Sequence, residues 1–525
     1  MNVVIKKAIN THVTISKNKF KYTFFKPKKD LKGSKHLSCK TGGFVFLLIS
    51  SDNKKKQFKK FISNVISSKG KVLKSNLSNL DGIFQVFVHD KKNKKTEVFS
   101  DALGIGAFYY LKKDASFVFF ENYYKIEKLE QELTIAPLGL FSQLTFGYRV
   151  DPFPELYKEL KKVKAAIKYT IKGNEIVEDK FTFLESKPNL NKAIKAFAKE
   201  SNKFKNVTVG ITAGRDCLTI LSTLKDKNNI ELCNFGSEDA ADVKQGKIIS
   251  KKLNLPFKNF DNVSEVNFLN FANSISNISG GLSTLSYVDM VSFASNIPDN
   301  SNYLMGEAGA CVRLLLDHNL SNKEQFDEYL TPDIFVNKVI NDKHKKLFST
   351  QRSELLGLLE DTYCKDENSA ISINFYRQAR MPGNFGNRHK ILNVYADKTS
   401  PFLAYNFMKH SYGLEKSNFI DDNLHHQIIL KSNNSLEKYF KFPLEKTDTT
   451  VQDWNHRFTT YIGAIYIKII EENFDVLKEF LDKEATIELC KEQIKDPGRG
   501  IYFLHRLISL LLFLSNFKNK ASNVN

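Results

Sequence analysis

The sequence contains little cysteine, and none of it is arranged in close pairs. Its six cysteines lie far apart along 525 residues, at Cys39, Cys217, Cys233, Cys311, Cys364 and Cys490. The absence of any C-x-x-C spacing argues against both a disulfide scaffold and a zinc site. Isolated thiols of this kind are typical of a reducing, cytoplasmic environment.

A long uninterrupted apolar run is also missing. The first ten residues, MNVVIKKAIN, contain no apolar segment that would serve as a signal peptide. The longest late run, residues 501–517, is interrupted by His505, Arg506 and Ser509, and is short for a membrane span. We therefore expect no transmembrane segment, a cytoplasmic location and a buried C-terminal helix.

The charge is strongly positive, but no recognition motif accompanies it. Lys plus Arg number 78 against 58 Asp plus Glu, which gives a formal net charge of +20. The lysines are scattered among Asn, Ser and Asp, a pattern typical of a solvated surface. Zinc-finger spacing and RNA-binding signatures are absent, so DNA binding is not expected. Attraction to a nucleotide, an acidic glycan, a membrane surface or RNA stays open.

The length and patterning predict two domains. A chain of 525 residues is too long for one hydrophobic core. Apolar runs such as 43–50 and 82–89 predict an antiparallel, strand-rich domain over residues 1–185. Strands and helices alternate at short intervals later, which predicts a doubly wound parallel sheet within residues 186–525, followed by a helical C-terminal region. The predicted fold class is therefore α/β.

The most informative stretch is VTVGITAGRDCLTIL at residues 207–221, where a β-branched run meets a small-residue turn and an apolar helix. The turn residues are Thr212, Ala213, Gly214, Arg215, Asp216 and Cys217. A helix start leaves unpaired N–H groups, and small side chains let an anion approach the backbone. The pattern predicts phosphate binding, with a hydroxyl donor at Thr212, a cation at Arg215 and a Mg²⁺ ligand at Asp216. An ordinary strand-to-helix turn is the alternative.

A second small-residue turn, beginning Gly306-Glu307, follows a predicted strand at 302–305. The carboxyl ends of parallel strands lie at one edge of a sheet, so the two turns are expected to meet. Asp216 and Glu307 could then share a metal ion.

Both turns resemble the loops of the ATP-pyrophosphatase (PP-loop) domain of the glutamine-dependent asparagine synthetase family, Ser-Gly-Gly-x-Asp-Ser and Ser-Gly-Glu-Gly-x-Asp-Glu. Short phrases of the first domain resemble the N-terminal domain of the same family, in the same order. They are Leu80-Asp81-Gly82-Ile83-Phe84, 101–105, Phe108-Tyr109-Tyr110, 118–121 and 146–150, with Pro152 and Pro154 after them. This resemblance implies an Ntn-hydrolase-like first domain and a nucleotide-binding second domain.

The sequence departs from the family at two functional positions. The family's glutaminase uses a cysteine directly after the initiator Met, whereas residue 2 here is Asn2. We infer that glutamine hydrolysis has been lost. The Asp-Glu pair of the second loop falls at Ala310-Cys311, so one expected Mg²⁺ carboxylate is missing. The segment 424–431 aligns with the one that carries the family's pocket lysine, which makes Lys431 a candidate.

The resemblance implies an ATP- and Mg²⁺-dependent ligase. A small-molecule, glycan or peptide carboxylate would be adenylated, pyrophosphate would leave, and an amine would attack to give an amide and AMP, in surface-polysaccharide or peptide modification. The implied catalytic residues are Asp216, Glu307 and Lys431. Two alternatives remain, a pseudoenzyme that binds or scaffolds and a PP-loop enzyme acting on tRNA. The oligomeric state is open, with a homodimer among the options.

Three other features have competing interpretations. Arg380 and Arg388 could contact phosphate or an acidic acceptor, or be structural. The pair His425-His426 invites a metal site, but adjacent residues on a helix do not face one site. The stripe that begins at Trp454 has helical spacing and is predicted to be core.

Overall fold

The computed structural model describes residues 2–8, 10–16, 19–25, 34–50, 54–106, 108–129, 132–150, 154–182, 184–226, 229–314, 333–347, 349, 373, 375–441 and 449–522. Cys364 and Pro152 lie outside these residues.

The described residues form seventeen strands in three sheets. The strands are β1 (Val4–Ala8), β2 (Asn10–Ser16), β3 (Lys19–Phe25), β4 (Ser34–Thr41), β5 (Phe44–Ser50), β6 (Phe84–Asp90), β7 (Lys95–Ser100), β8 (Tyr109–Lys113), β9 (Ser116–Phe120), β10 (Lys161–Lys162), β11 (Ile167–Lys172), β12 (Glu175–Lys180), β13 (Val207–Gly210), β14 (Ile230–Phe235), β15 (Phe257–Phe260), β16 (Asn302–Leu304) and β17 (Lys398–Thr399).

The described residues also form seventeen α-helices. They are α1 (Lys55–Ser67), α2 (Lys74–Ser78), α3 (Pro137–Phe146), α4 (Leu190–Ser201), α5 (Arg215–Thr223), α6 (Ala241–Leu253), α7 (Glu265–Ser279), α8 (Val288–Ser295), α9 (Asp333–Val339), α10 (Gly386–Asn393), α11 (Tyr405–Ser411), α12 (Asn423–Asn433), α13 (Glu437–Lys441), α14 (Thr449–Arg457), α15 (Gly463–Asn473), α16 (Lys483–Lys495) and α17 (Gly500–Ser522). Two π-helical segments, Tyr376–Phe385 and Phe458–Ile462, precede α10 and α15.

The N-terminal sheets are antiparallel and pack face to face. One has seven strands in the order β1-β4-β5-β6-β7-β11-β12, and the other has five in the order β10-β8-β9-β2-β3. Successive side chains of a strand point to opposite faces, so Leu47 of β5 packs between the sheets while Phe46 packs under α1. On β8, Tyr110 faces the space between the sheets and Tyr109 faces the C-terminal half. The strand-rich first region is thus a layered structure.

The C-terminal sheet is parallel throughout. Its order is β15-β14-β13-β16-β17, and β13 pairs with β14 and β16 through Val207, which is aligned with Ile230 and Asn302. The next two strands of the chain, β14 and β15, lie on one side of β13, and the last two, β16 and β17, lie on the other. This arrangement is that of a doubly wound sheet. The predicted α/β class, with N-terminal antiparallel sheets, a C-terminal parallel sheet and a helical C-terminal region, is confirmed.

The helix α17 is the longest helix of the described chain, and it is largely apolar. Its segment Gly500–Phe517 is long and apolar enough to cross a membrane, but 72 % of it is buried inside the fold. It packs on α7 and α15, and Arg506 donates to the Leu144 carbonyl of α3 at 2.9 Å. The prediction of a buried C-terminal helix is confirmed.

One hydrophobic cluster spans the predicted domain boundary at residue 185. It contains Tyr109, Tyr123 and Tyr157 from before that boundary, and residues of α7, α15 and α17 from after it. The Phe513 ring lies 5.6 Å from that of Tyr123 and 6.2 Å from that of Tyr157. The two predicted domains therefore share a core, and the boundary itself remains a prediction.

Candidate functional site

The Thr212–Cys217 turn connects β13 to α5 at the carboxyl edge of the parallel sheet. Gly214 is the N-cap residue of α5 and has an extended backbone. The Ala213 N–H donates to Asp242 Oδ1 at 2.7 Å, and the Gly214 N–H donates to Thr212 Oγ1 at 3.0 Å. Two amides of the turn thus have acceptors within the protein, and Asp242 at the start of α6 holds the turn in place.

The second turn packs directly against the first. A Cβ atom on Gly306 would lie 2.5 Å from the Cβ of Asp216, and one on Gly309 would lie 2.4 Å from Asp216 Oδ1. Real Cβ atoms do not approach other heavy atoms so closely, so position 306 requires glycine, whereas a Cβ at position 309 would require the Asp216 carboxylate to turn aside. The structure therefore brings Gly306 to the start of α5, as the pattern of strands predicted.

The charged pair of the first turn has partners on α12 and nearby segments. Asp216 Oδ1 lies 3.0 Å from His425 Nε2 and 3.6 Å from Arg313 Nη1. Arg215 forms an ion pair with the buried carboxylate of Asp422. The neighbouring His426 instead contacts Glu437 at 3.0 Å. The two histidines diverge, as expected for adjacent residues of a helix.

Glu307 is the centre of a buried ionic cluster. Its side chain is 1 % exposed; Arg388 Nε donates to it at 2.8 Å, and Lys398 is a second ion-pair partner. Burial alone raises the pKa of Glu307, but the charges of Lys398 and Arg388 outweigh burial and hold that pKa well below its usual range. Burial lowers the pKa of Lys398 to about 8, against the attraction of Glu307. Glu307 is thus ionised and neutralised by protein cations.

Neither carboxylate fits a Mg²⁺ ligand in this arrangement. Asp216 faces His425 and Arg313, and Glu307 faces Arg388 and Lys398. Across the described ranges, no group of three or more His, Cys, Asp and Glu side chains is placed to hold a metal ion. A divalent cation at either carboxylate would be repelled by Arg313, Arg388 or Lys398, because like charges repel.

Lys431 contacts helix α4. It is on the exposed surface near the end of α12, where its Nζ donates to Asn191 Oδ1 at 2.8 Å. Cys217 belongs to the first turn, and burial, with a contribution from Asp216, raises the pKa of its thiol to about 11. The thiol is therefore protonated near neutral pH and is not a nucleophile.

A cavity of ≈ 260 Å³ opens beside the two turns. We call it the sheet-edge cavity. It is lined by Gly210, Thr212, Cys217, Cys233, Asn234, Phe235, Gly236, Ser237, Ala240, Asp242, Asn262, Asp289, Met290, Phe293, Tyr303, Met305, Gly306, Asp453, Trp454 and Arg457. The lining thus combines the ends of β13, β14 and β16 with the helices α8 and α14.

The walls of the sheet-edge cavity differ in chemistry. One part is aromatic and apolar, with Phe235, Phe293 and Trp454. Another part of the wall is charged. There Arg457 donates two hydrogen bonds to Asp289, of 3.0 and 2.7 Å, and the Asp453 carboxylate lies 3.1 Å from the same guanidinium. Flat apolar walls beside a few polar groups are typical of a small-molecule site.

Sequence reasoning missed several lining residues. Trp454 was predicted to belong to the core. It does pack against the core, and it also lines the cavity. Asp242, which holds the first turn and lines the cavity, was not among the predicted site residues. The sequence did contain a signal for Asp289, because it is a carboxylate within the apolar helix α8. In the structure this side chain is buried, with 3 % exposure.

Comparisons with known proteins add little to this geometry. No family model and no curated protein matches the chain. Among solved structures, it is similar to a glutamine phosphoribosylpyrophosphate amidotransferase from B. subtilis complexed with ADP and GMP, at 9% identity over 62% of this chain and 83% of that one, with a TM-score of 0.20. A TM-score of this size supports no conclusion about function.

Proposed function

We propose that the chain binds a nucleotide in the sheet-edge cavity. The observation that carries this proposal is the meeting of the Thr212–Cys217 turn, the Gly306 turn and the cavity at the carboxyl edge of one parallel sheet. Ligands of open α/β sheets bind at that edge, near the point where strand order reverses. Here the reversal occurs at β13, which precedes the Thr212–Cys217 turn.

The lining sets the orientation of the nucleotide. Phe235, Phe293 and Trp454 offer faces against which a base can stack. This wall carries two carboxylates, Asp289 and Asp453, against the one guanidinium of Arg457, so its net negative charge disfavours phosphates. Asp453 can accept a hydrogen bond from a ribose hydroxyl. The phosphates therefore lie toward Thr212 and the N-terminus of α5, where the helix dipole favours negative charge.

We assign an AMP-forming amide ligation to this site, by its resemblance to asparagine synthetase. A substrate carboxylate attacks the α-phosphate of ATP and pyrophosphate leaves. An amine then attacks the acyl-adenylate, giving an amide and AMP. Free ammonia or a substrate amine is the proposed source of the nitrogen. Candidate carboxylates are small molecules, glycans and peptides. No step is assigned to a metal ion, since Asp216 and Glu307 are paired with protein cations.

A second candidate is a nucleotide-binding protein without catalysis. The pairing of Asp216 with His425 and Arg313, and of Glu307 with Arg388 and Lys398, favours it. Both carboxylates then act as structural counterions and hold the two turns together.

Nucleotide binding can be followed directly, because the chain contains a single tryptophan and it lines the cavity. We expect ATP and AMP to change Trp454 fluorescence saturably in the full chain. Ser237→Glu adds a carboxylate at an exposed lining residue and should weaken binding about tenfold or more, a loss of about 1.4 kcal/mol. Ser295→Glu adds the same charge outside the cavity and should not.

The two candidates separate in a second assay. ATP–pyrophosphate exchange in the presence of candidate carboxylates, abolished by Asp216→Ala, supports the ligase. Saturable binding without exchange supports the binding protein. If no nucleotide alters Trp454 fluorescence, both are rejected.

A further inference from the structure

The net positive charge is concentrated in residues 1–80, although lysines occur throughout the chain. This stretch contains nineteen lysines, no arginine and two acidic residues, Asp30 and Asp52, which gives it a formal charge of +17. The rest of the chain contributes only +3 to the total of +20, because its acidic residues nearly balance its basic ones. Residues 1–80 are therefore the main source of the positive field of the protein.

Much of this charge lies on one helical layer, residues 54–80, which we call the α1–α2 layer. Apolar side chains of its two helices, among them Phe58, Phe61 and Leu77, pack in one cluster with Phe46 on the seven-stranded sheet. The lysines of the layer point the other way. Seven of them are exposed, namely Lys55, Lys56, Lys59, Lys60, Lys69, Lys71 and Lys74.

The α1–α2 layer contains no carboxylate of its own, since neither Asp nor Glu occurs in residues 54–80. Glu185, from outside the layer, lies 3.3 Å from Lys74 Nζ. Both side chains of this pair are more than half exposed, so the pair is weak. The layer therefore presents a surface of one sign.

The lysines of α1 are placed where they disfavour an isolated helix. Lys59 and Lys60 follow Lys56 by three and four residues, so the three cations lie on one side of the helix and repel one another. The first turn of α1 contains Lys55 and Lys56 and no acidic residue, although the helix dipole favours negative charge there. An anionic surface outside the protein would offset both effects.

One exposed apolar side chain lies among the lysines. Leu73 is 40 % exposed and directly precedes α2, between Lys71 and Lys74 in sequence. The aromatic side chains of the layer, Phe58 and Phe61, are fully buried. Single-stranded nucleic acids are held by exposed aromatic rings and guanidinium groups, and this fully described layer presents neither. A bilayer surface, in contrast, attracts lysines and also accepts apolar side chains at headgroup depth.

We propose that the α1–α2 layer docks on the surface of an anionic lipid bilayer. The lysines face the lipid phosphates, and Leu73 enters the headgroup region. The attraction acts within a Debye length, about 10 Å at 0.1 M salt. This docking is peripheral, and it is independent of nucleotide binding because no lining residue of the sheet-edge cavity belongs to the α1–α2 layer.

The test uses the full chain and two kinds of vesicle. One is phosphatidylcholine alone, and the other is an equal mixture of phosphatidylcholine and phosphatidylglycerol; co-sedimentation measures the affinity for each. We expect saturable binding to the anionic vesicles and much weaker binding to the neutral ones. Binding to the anionic vesicles should be lost between about 0.1 M and about 1 M salt, because the Debye length falls from about 10 Å to about 3 Å.

A matched pair of double variants locates the surface. Lys59→Gln/Lys60→Gln removes two exposed charges from α1, and Lys251→Gln/Lys252→Gln removes two exposed charges from α6, which also has 13 residues. Both variants lower the net charge by the same amount. We expect the first to bind anionic vesicles at least about tenfold more weakly than the wild type, and the second to bind like the wild type.

Leu73→Ser tests the apolar contact. Serine is favoured at the N-cap position of α2, which Leu73 occupies, so the variant should keep the fold. We expect it to bind anionic vesicles about threefold more weakly, because less apolar area enters the headgroup region.

Four results would overturn the proposal. They are no saturable binding of the wild type to anionic vesicles, equal binding to neutral vesicles, equal affinity of the two double variants, and tighter binding to duplex DNA or heparin than to anionic vesicles at the same salt concentration. The last result would assign the α1–α2 layer to a soluble polyanion.

Discussion

At the scale of single residues, Glu307 is better explained as a counterion than as a metal ligand. It is buried with Arg388 and Lys398, whose charges would otherwise be uncompensated inside the protein. Removing one partner of a buried ion pair typically costs about 3–5 kcal/mol, because the remaining charge stays buried. The turn that carries Glu307 is therefore anchored by charge to α10 and β17.

A second buried carboxylate, Glu121, makes stability depend on pH. Burial raises its pKa to about 7, against the opposing effects of Ser34 and Lys390. Between about pH 4.5 and about pH 7, the folded protein therefore keeps a proton on Glu121 that the unfolded chain releases. The free energy of unfolding decreases as pH rises through that window.

Glu121→Gln removes this titration. We expect the variant to be more stable than the wild type at pH 8, by about 1–3 kcal/mol, and to match it at pH 4.5. Denaturant unfolding at both pH values measures the difference. An equal effect of the substitution at both pH values would contradict the assignment.

Some site residues could be predicted from sequence, and their partners could not. Thr212, Gly214 and Gly306 follow strands whose patterns are readable, so their approach at one sheet edge was foreseeable. His425 and Lys398 reach Asp216 and Glu307 from segments far along the chain. Nothing in local periodicity encodes such a pairing, so the metal-ligand prediction did not anticipate it.

At the scale of elements, α17 is held close to the C-terminus of α7 by a glycine. A Cβ on Gly281 would lie 2.8 Å from the Cα of Leu510, which is backbone and cannot move aside. Gly281 also has a φ of +74°. Both constraints fix the distance between this helix and the turn after α7.

Gly281→Ala should therefore force α17 outward. Gly173→Ala is the matched control, because Gly173 has a similar φ of +64° and nothing within 4 Å of its Cβ position. Both variants bear the cost of a side chain at positive φ, and only Gly281→Ala adds the clash with Leu510. We therefore expect Gly281→Ala to be less stable than Gly173→Ala by about 1–3 kcal/mol. Denaturant midpoints of the two variants measure it, and equal midpoints would refute the close contact.

The elements themselves were predicted with uneven success, for physical reasons. Continuous apolar runs identified β5 and β6, and interruption of the last run by His505 and Arg506 correctly indicated a core helix. Each of these polar residues has an interior partner, since His505 contacts the Tyr466 hydroxyl at 2.5 Å and Arg506 contacts the Leu144 carbonyl. The π-helical segment 376–385 was not foreseen, because its sequence, with Pro382 inside it, contradicts local helix propensity.

At the scale of the whole molecule, the shared hydrophobic cluster links both halves. Tyr123 and Tyr157 of the first half are covered by Phe513 of α17. A fragment of residues 1–185 would expose these rings. We expect it to bind a hydrophobic dye and to show no cooperative thermal transition, whereas the full chain shows one. Cooperative unfolding of the fragment would show instead that the first half is an independent domain.

The position of Phe513 also bears on synthesis. A ribosome releases Tyr123 long before it reaches α17, so a nascent chain carries an uncovered aromatic surface through most of translation. Exposed apolar surface of this kind makes a growing polypeptide prone to aggregation until α17 has been synthesised.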